Sequence, residues 1–383
     1  MINYLVAEIS SYLAHQDYSL AARRLLDISL DINRPDLVRK AVDLSRVYHR
    51  HVKDKQESPT EFINAANQLI QQISSENLIS STPELLVTVE QVSKTYKSGT
   101  FTLSPVSFKV LSGDILGVVG ENGNGKTTLL RCLSGQLAID TGSVHHTQIK
   151  EPGYYAIKHQ VAFIPQRIPR WYGLLKDNLR FSAAIAGVHA DENDLMVDFM
   201  LERLGLGSYE NYTWNQISSG YRTRFEIARV LLQKPSLLIL DEPLANLDIN
   251  AQQTILTDLR FMAKSFKHPM GVVLSSQQLH EVEKIADNVL FMKKGSCMFQ
   301  TKKKTETAKS YVLELETVAD RDDLLRILGD KKVSIQFNGG FYTITSASCS
   351  VQEMLNRLVS SDVSITYFRD ITYSTKRFFN SAI

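Results

Sequence analysis

The chain has 383 residues, enough for about two or three domains, and its formal net charge of +2 gives no electrostatic footprint for nucleic acid. Its three cysteines, Cys132, Cys297 and Cys349, lie too far apart to suggest a disulfide framework or a metal site and fit a reducing cytoplasm. No uncharged apolar run approaches the roughly 18 residues of a membrane span and no basic-then-apolar leader opens the chain, so the expectation is a soluble protein or one held at a membrane by a partner.

Residues 1–80 read as helical throughout. Leu5, Ile9, Tyr12 and Leu13 share one helical face, and Asp17 is placed to cap a second helix carrying Leu20, Leu25 and Leu26. Arg34-Pro35-Asp36 opens a third. Ser58-Pro59-Thr60-Glu61 reads as a capping box with Pro59 at the first helical position of a fourth. Such short helices suit a small domain packed on its own core and a docking platform equally well. Ser80-Ser81-Thr82-Pro83 then reads as a linker.

Leu85 to Val92 alternates as a strand and leads to Tyr96, a packing residue by default, or an aromatic face for a base if a nucleotide site lies near. Residues 115–119 form an apolar run short enough for a buried strand. They feed Gly120-Glu121-Asn122-Gly123-Asn124-Gly125-Lys126-Thr127-Thr128, which fits the phosphate-binding pattern G-x-x-x-x-G-K-[ST]. A triphosphate must leave water with several negative charges. Successive backbone N–H groups and a helix N-terminus supply fixed partial positive charge for it. Gly120, Gly123 and Gly125 let the backbone curl, Lys126 brings a point charge to the β- and γ-phosphates, and the Thr127 hydroxyl suits Mg²⁺. The plain alternative is a glycine-rich strand-to-helix turn with an incidental lysine.

Residues 161–164 are a second buried strand candidate, ending in Pro165-Gln166, and residues 171–233 are mainly helical in pattern. Within them, Ser218-Ser219-Gly220-Tyr221 precedes an apolar helix face. It reads as a helix cap, or as a second anion site at a helix start. Residues 237–240 form a core strand with Asp241 and Glu242 at its C-terminal end, where open parallel sheets bind ligands. Asp241 is placed to hold Mg²⁺ through water, and Glu242 to orient or deprotonate a water aimed at a γ-phosphate. A further strand, 272–276, runs into Gln277-Gln278-Leu279-His280.

Residues 301–310, with Lys302-Lys303-Lys304, read as a solvated linker. Beyond it the pattern is strand 311–317, helix 320–329, strands 332–337 and 341–346 joined by a turn at Asn338-Gly339-Gly340, helix 350–360 and strand 363–369. This βαββαβ order is the ferredoxin-like plan. Asp370 to Phe379 is a basic-aromatic tail read as packing rather than chemistry.

Residues 84–300 resemble the nucleotide-binding domain of ABC ATPases through several motifs in the right order. Walker A is Gly120 to Thr128 and the Q-loop glutamine is Gln166. The signature is Ile217-Ser218-Ser219-Gly220-Tyr221, Walker B runs from Leu237 to Glu242, and the D-loop is Ala245-Asn246-Leu247-Asp248. Together with the patterns read above, this gives the expectation of a multidomain α/β protein. The resemblance implies a P-loop ABC ATPase domain with antiparallel β and helical subdomains (84–300). The patterns place before it an all-α N-terminal domain (1–80), not a usual part of such subunits, and after it a C-terminal α+β ferredoxin-like domain (310–383). The resemblance further implies a head-to-tail homodimer in which ATP, with Mg²⁺, lies between one Walker A loop and the opposite signature. Tyr96 would stack on adenine, Gln166 would contact Mg²⁺ and the attacking water, Ser218, Ser219 and Gly220 would reach the partner's γ-phosphate, and Asp248 would line the same interface.

Two departures stand out. Ser219 and Tyr221 replace Gly and Gln in the usual signature, and Gln277 occupies the position of the switch histidine. Glutamine can donate to a γ-phosphate but cannot become cationic, which implies slow turnover. His280 falls a turn too late. The expectation is an ATPase subunit on the cytoplasmic face of a membrane that drives separate permease chains, more in the manner of an exporter than an importer, with the N-terminal helices restraining the dimer or docking a further protein. The alternatives are a non-transport ABC ATPase and a weakly hydrolysing nucleotide-gated scaffold.

Overall fold

The computed structural model describes residues 2–49, 59–78, 80–97, 99, 101–149, 153–245, 247–302, 310–329 and 333–372. Ser58, Asn246, Lys303, Lys304 and residues 373–379 therefore lie outside the described residues. The chain divides into two compact units, Met1–Gln278 with Leu290–Phe299, and Leu279–Val289 with Gln300–Ile383.

The first unit opens with four helices, α1 (Ile2–Ala14), α2 (Tyr18–Ile32), α3 (Pro35–Val47) and α4 (Thr60–Ser74). Each buries the stripe its spacing dictates, such as Leu5 and Ile9 on α1 and Phe62, Ala66 and Ile73 on α4. Asp17 caps α2 by accepting from the Leu20 amide. The expected capping box of α4 falls on Ser58, outside the described residues. The helix begins at Thr60 and Pro59 is the capping residue, with no side-chain bond, because its ring offers neither an acceptor nor an N–H.

These helices belong to the same compact unit as the strands and helices that follow. Next come β1 (Leu85–Thr95), β2 (Thr102–Leu111), β3 (Ile115–Val119), α5 (Lys126–Leu133), β4 (Thr141–His146), α6 (Tyr154–Gln160) and β5 (Val161–Ile164). Three helices follow, α7 (Leu175–Ile185), α8 (Ala190–Arg203) and α9 (Ser219–Leu231), then β6 (Leu237–Leu240), α10 (Ile249–Ala263) and β7 (Gly271–Ser276). After α11 (Leu279–Ile285) of the second unit, β8 (Asn288–Lys293) and β9 (Ser296–Lys302) close the larger sheet.

That sheet has the order β5-β6-β7-β3-β8-β9, with β5, β6, β7 and β3 parallel. An antiparallel sheet of order β2-β1-β4 shares its apolar core around α5. The side chains of β3, β6 and β7 are buried along their whole length, as a parallel sheet covered on both faces requires.

The N-terminal helices meet α8 and α10 through charge. Arg203 on α8 is 2% exposed and donates to Asp27 of α2 at 3.0 Å and to Asp258 of α10 at 2.6 Å. Arg23 lies 3.2 Å from the same Asp258 carboxylate. Asp31 accepts from Ser265 Oγ at 2.6 Å and from the Phe266 amide, while burial pushes its carboxyl above the usual range. Ser45 and Arg46 of α3 reach Glu202 and Asp198 of α8 at 2.8 and 2.6 Å. Burial raises the Glu202 carboxyl, an effect the Ser45 hydrogen bond partly offsets.

In the second unit, β10 (Tyr311–Thr317), α12 (Arg321–Leu328), β11 (Val333–Asn338), β12 (Phe341–Ser346), α13 (Val351–Ser360) and β13 (Ile365–Asp370) follow the β-α-β-β-α-β order. The sheet order is β11-β12-β10-β13, antiparallel throughout. Asn338 pairs with Phe341 across a two-residue turn. Leu313, Leu315, Ile335 and Ile344 pack against Leu324, Leu328, Met354 and Leu358 of the two helices.

Candidate active site

The parallel strands end abreast. Val119 pairs with Ser276, Leu240 with Leu274, and Ile164 with Leu240. Whatever follows each strand therefore shares one carboxyl edge. Gln166 follows β5, Asp241 and Glu242 follow β6, Gln277 follows β7 and the glycine-rich loop follows β3. Gln166 and Gln277 are both exposed there.

Two of the loop's glycines are sterically required. A Cβ on Gly120 would lie 2.3 Å from the Met292 carbonyl oxygen. One on Gly125, whose φ is +95°, would lie 2.6 Å from the Phe101 ring. The buried Lys126 ammonium donates to the Gly120 and Glu121 carbonyls at 2.7 and 3.2 Å and stands 2.9 Å from Glu242 Oε1. Thr127 Oγ1 donates to Asp241 Oδ2 at 2.8 Å, so the first turn of α5 is fastened to the end of β6. Asn122 is exposed at the loop's tip, whereas the Asn124 carboxamide is used structurally and accepts from the Lys294 amide at 2.9 Å. Tyr96 is partly exposed, its hydroxyl 3.3 Å from Thr128 Oγ1 and its ring 6.4 Å from that of Phe101.

Glu242 has a left-handed backbone, φ +51°, a strain of about 1–3 kcal/mol for a residue with a Cβ. Its amide donates to Ser275 Oγ, and Ser275 Oγ donates to Asp241 Oδ1, both at 2.8 Å. Phe101, Lys294 and Ser275 are contributors that reading the motifs missed. They lie on other strands or turns, and their spacing from the loop carries no pattern.

The signature residues lie away from this cluster in sequence and take a different form. Ser218 and Ser219 are exposed and Gly220 is buried at the start of α9. Ser218 has the backbone of a capping residue but its hydroxyl makes no capping bond. A Cβ on Gly220 would meet Leu247 and Ala251 at ordinary distances, 3.5 and 3.8 Å, so among the described residues no close contact demands a glycine there. Tyr221 stacks on Tyr209, ring centroids 4.2 Å apart. Asp248 caps α10 through the Ala251 amide at 2.8 Å.

A parallel sheet whose edge gathers a glycine-rich loop, a buried lysine and a Thr–Asp pair defines the class of phosphate-loop nucleotide-binding proteins. A family model described as ABC transporter matches residues 103–245. The chain is 30% identical over 212 residues to YxlF, an ABC transporter ATP-binding protein of Bacillus subtilis, spanning 55% of this chain and 68% of that one. It is also 30% identical over 224 residues to the methionine import ATP-binding protein MetN of Geobacillus kaustophilus, spanning 56% of this chain and 65% of that relative's length. Among solved structures, cbiO1 from Clostridium perfringens, part of the ABC transporter complex cbiONQ, matches with a TM-score of 0.52 and 26% identity over 57% of this chain and 89% of that chain. The chain belongs to the ABC transporter ATP-binding family, a family of ATPases.

Proposed function

We propose that this chain binds and hydrolyses ATP as the energising subunit of an ABC transporter, dimerising on ATP to drive separate membrane permease chains. The observation that carries the reading is the single edge at which Lys126, the Thr127–Asp241 pair and Glu242 converge. Lys126 would neutralise phosphate charge and Glu242 would take the proton of the attacking water. Thr127 and Asp241 offer hard oxygens of the kind Mg²⁺ prefers. Among the described residues no cluster of three His, Cys, Asp or Glu competes for a metal, so phosphate and water would complete the shell. When bound, Mg²⁺ would supply electrophilic help at the phosphates.

The exposed Ser218 hydroxyl and a Gly220 not required by its own chain support a signature that serves a second copy. In that arrangement Tyr96 packs on adenine, Gln166 senses the metal and water, Gln277 contacts the γ-phosphate and Asp248 lies at the copy–copy boundary. Among the described residues no helix is long and apolar enough to cross a membrane. In this reading the permease chains hold the subunit at the cytoplasmic face. The expectation of export gains nothing here, since the relative with a stated cargo is named for import. We read α1–α4 as a brace, because α2 and α3 bind α8, which precedes the signature, and Arg23 of α2 pairs with Asp258 of α10, which follows the D-loop. The ferredoxin-like βαββαβ unit is read as an accessory domain.

The test is phosphate release by wild type and Glu242→Gln, with sedimentation of Glu242→Gln in MgATP. Loss of release by about 10²–10⁴-fold together with an ATP-dependent dimer supports the reading. A monomer at saturating ATP sinks the shared-site arrangement. Equal, negligible release favours the nucleotide-gated scaffold, the second reading that Gln277 supports.

A further inference from the structure

We infer that Ser275, on the strand beside both acids, is the positioning residue that aims Asp241 and Glu242. The inference rests on the hydrolytic reading above. Ser275 is completely buried. A buried hydroxyl must find partners, and most serines near a strand end satisfy themselves on nearby backbone. Ser275 does not. Its proton goes to Asp241 Oδ1 and its lone pair receives the Glu242 amide, both at 2.8 Å and across more than thirty residues of chain. One hydroxyl thus touches the two consecutive acids that follow β6 from the neighbouring strand.

The consequences differ for the two acids. Asp241 has its second oxygen, Oδ2, on Thr127. With Oδ1 held by Ser275, the carboxylate plane is fixed and one edge stays directed at the Thr127 hydroxyl. Glu242 is held through its backbone. The Ser275 bond ties down the amide of a residue in the left-handed region, from which its carboxylate reaches to 2.9 Å from Lys126 Nζ. Without the hydroxyl, a buried amide in an unusual backbone conformation loses its acceptor. Ser275 also lies two residues before Gln277, so one strand end carries both the tether of the acids and the residue at the switch position.

The experiment compares full-length wild type with Ser275→Ala, Ser275→Thr and Ser275→Val. Threonine and valine have the same shape and differ in the hydroxyl alone. Ala and Val are expected to lower kcat about 10–100-fold with KM for ATP unchanged, while Thr keeps most of the activity. Binding of Mn²⁺ in the presence of ATP, followed by electron paramagnetic resonance, reads Asp241 without turnover and should weaken about tenfold in Ala and Val. Equal behaviour of Thr and Val would mean that the site senses volume rather than hydrogen bonding and overturns the inference, as does wild-type kcat and Mn²⁺ affinity in Ala. An active wild type with an inert Glu242→Gln and an unaffected Ser275→Ala removes the positioning role alone. An inactive wild type removes the hydrolytic reading, and the Mn²⁺ measurement still decides Ser275.

Discussion

Two groups of buried charge in the first unit invite comparison. At the sheet edge, Lys126 stands 2.9 Å from Glu242 and also donates to loop carbonyls, while Asp241 is held by a threonine and a serine. Where α2, α8 and α10 meet, Arg203 has its guanidinium between two aspartates. The first group keeps its charges on groups that can exchange partners for a ligand. The second spends its charges on one another inside the protein. Desolvation costs are high in both places, so the closed group acts as a register for packing and the edge group as machinery.

The largest effect expected is at the edge. Lys126→Ala should lower kcat for phosphate release by about 10²–10³-fold, with a smaller loss of stability than at Arg203, because only the Glu242 carboxylate loses its cation. A comparable loss of stability would blur the distinction.

The closed group predicts the reverse. Arg203→Leu leaves the buried Asp258 with only Arg23 at 3.2 Å and the partly buried Asp27 with only Arg24 at 3.9 Å, and should cost about 3 kcal/mol in urea unfolding. Replacing Arg203, Asp27 and Asp258 together by apolar residues of matching volume should return most of that stability. If the triple variant is as unstable as the single, the register role is larger than desolvation arithmetic allows.

A smaller test uses pH. The His146 ring is buried and its Nε2 lies 3.1 Å from the Leu133 carbonyl at the end of the phosphate-loop helix. Burial, only partly offset by that hydrogen bond, lowers its pKa below the usual 6.5. The unfolded chain therefore binds the extra proton first. Stability is fully present above that value and is lost as pH falls from it through the folded value, by at most about 1.4 kcal/mol per pH unit. His146→Gln, which keeps a donor but cannot titrate, should flatten unfolding curves compared at pH 7.5 and 5.5, both about 1 unit from the ordinary value. An unchanged slope would place the acid sensitivity elsewhere.

The smallest effect belongs to the surface. Arg180 and Asp194 pair at 2.7 Å but both are exposed, so Arg180→Ala should leave the melting temperature unchanged.

The sequence alone determined the edge. A triphosphate demands glycines, a lysine and a hydroxyl within a few consecutive residues, and an acid pair at a strand end, so local spacing encodes the chemistry. It also determined the second unit's β-α-β-β-α-β order, since alternation with period two and short amphipathic helices are local signals, although β13 begins at Ile365, later than the pattern suggests. Tertiary structure decided the rest. Asp27, Arg203 and Asp258 come together only when three helices pack, and the loss of water that makes their pairing necessary has no signature in the spacing of residues 27, 203 and 258. The same holds for Ser275, which reads as one more residue of a buried strand until its neighbour β6 brings two carboxylates beside it.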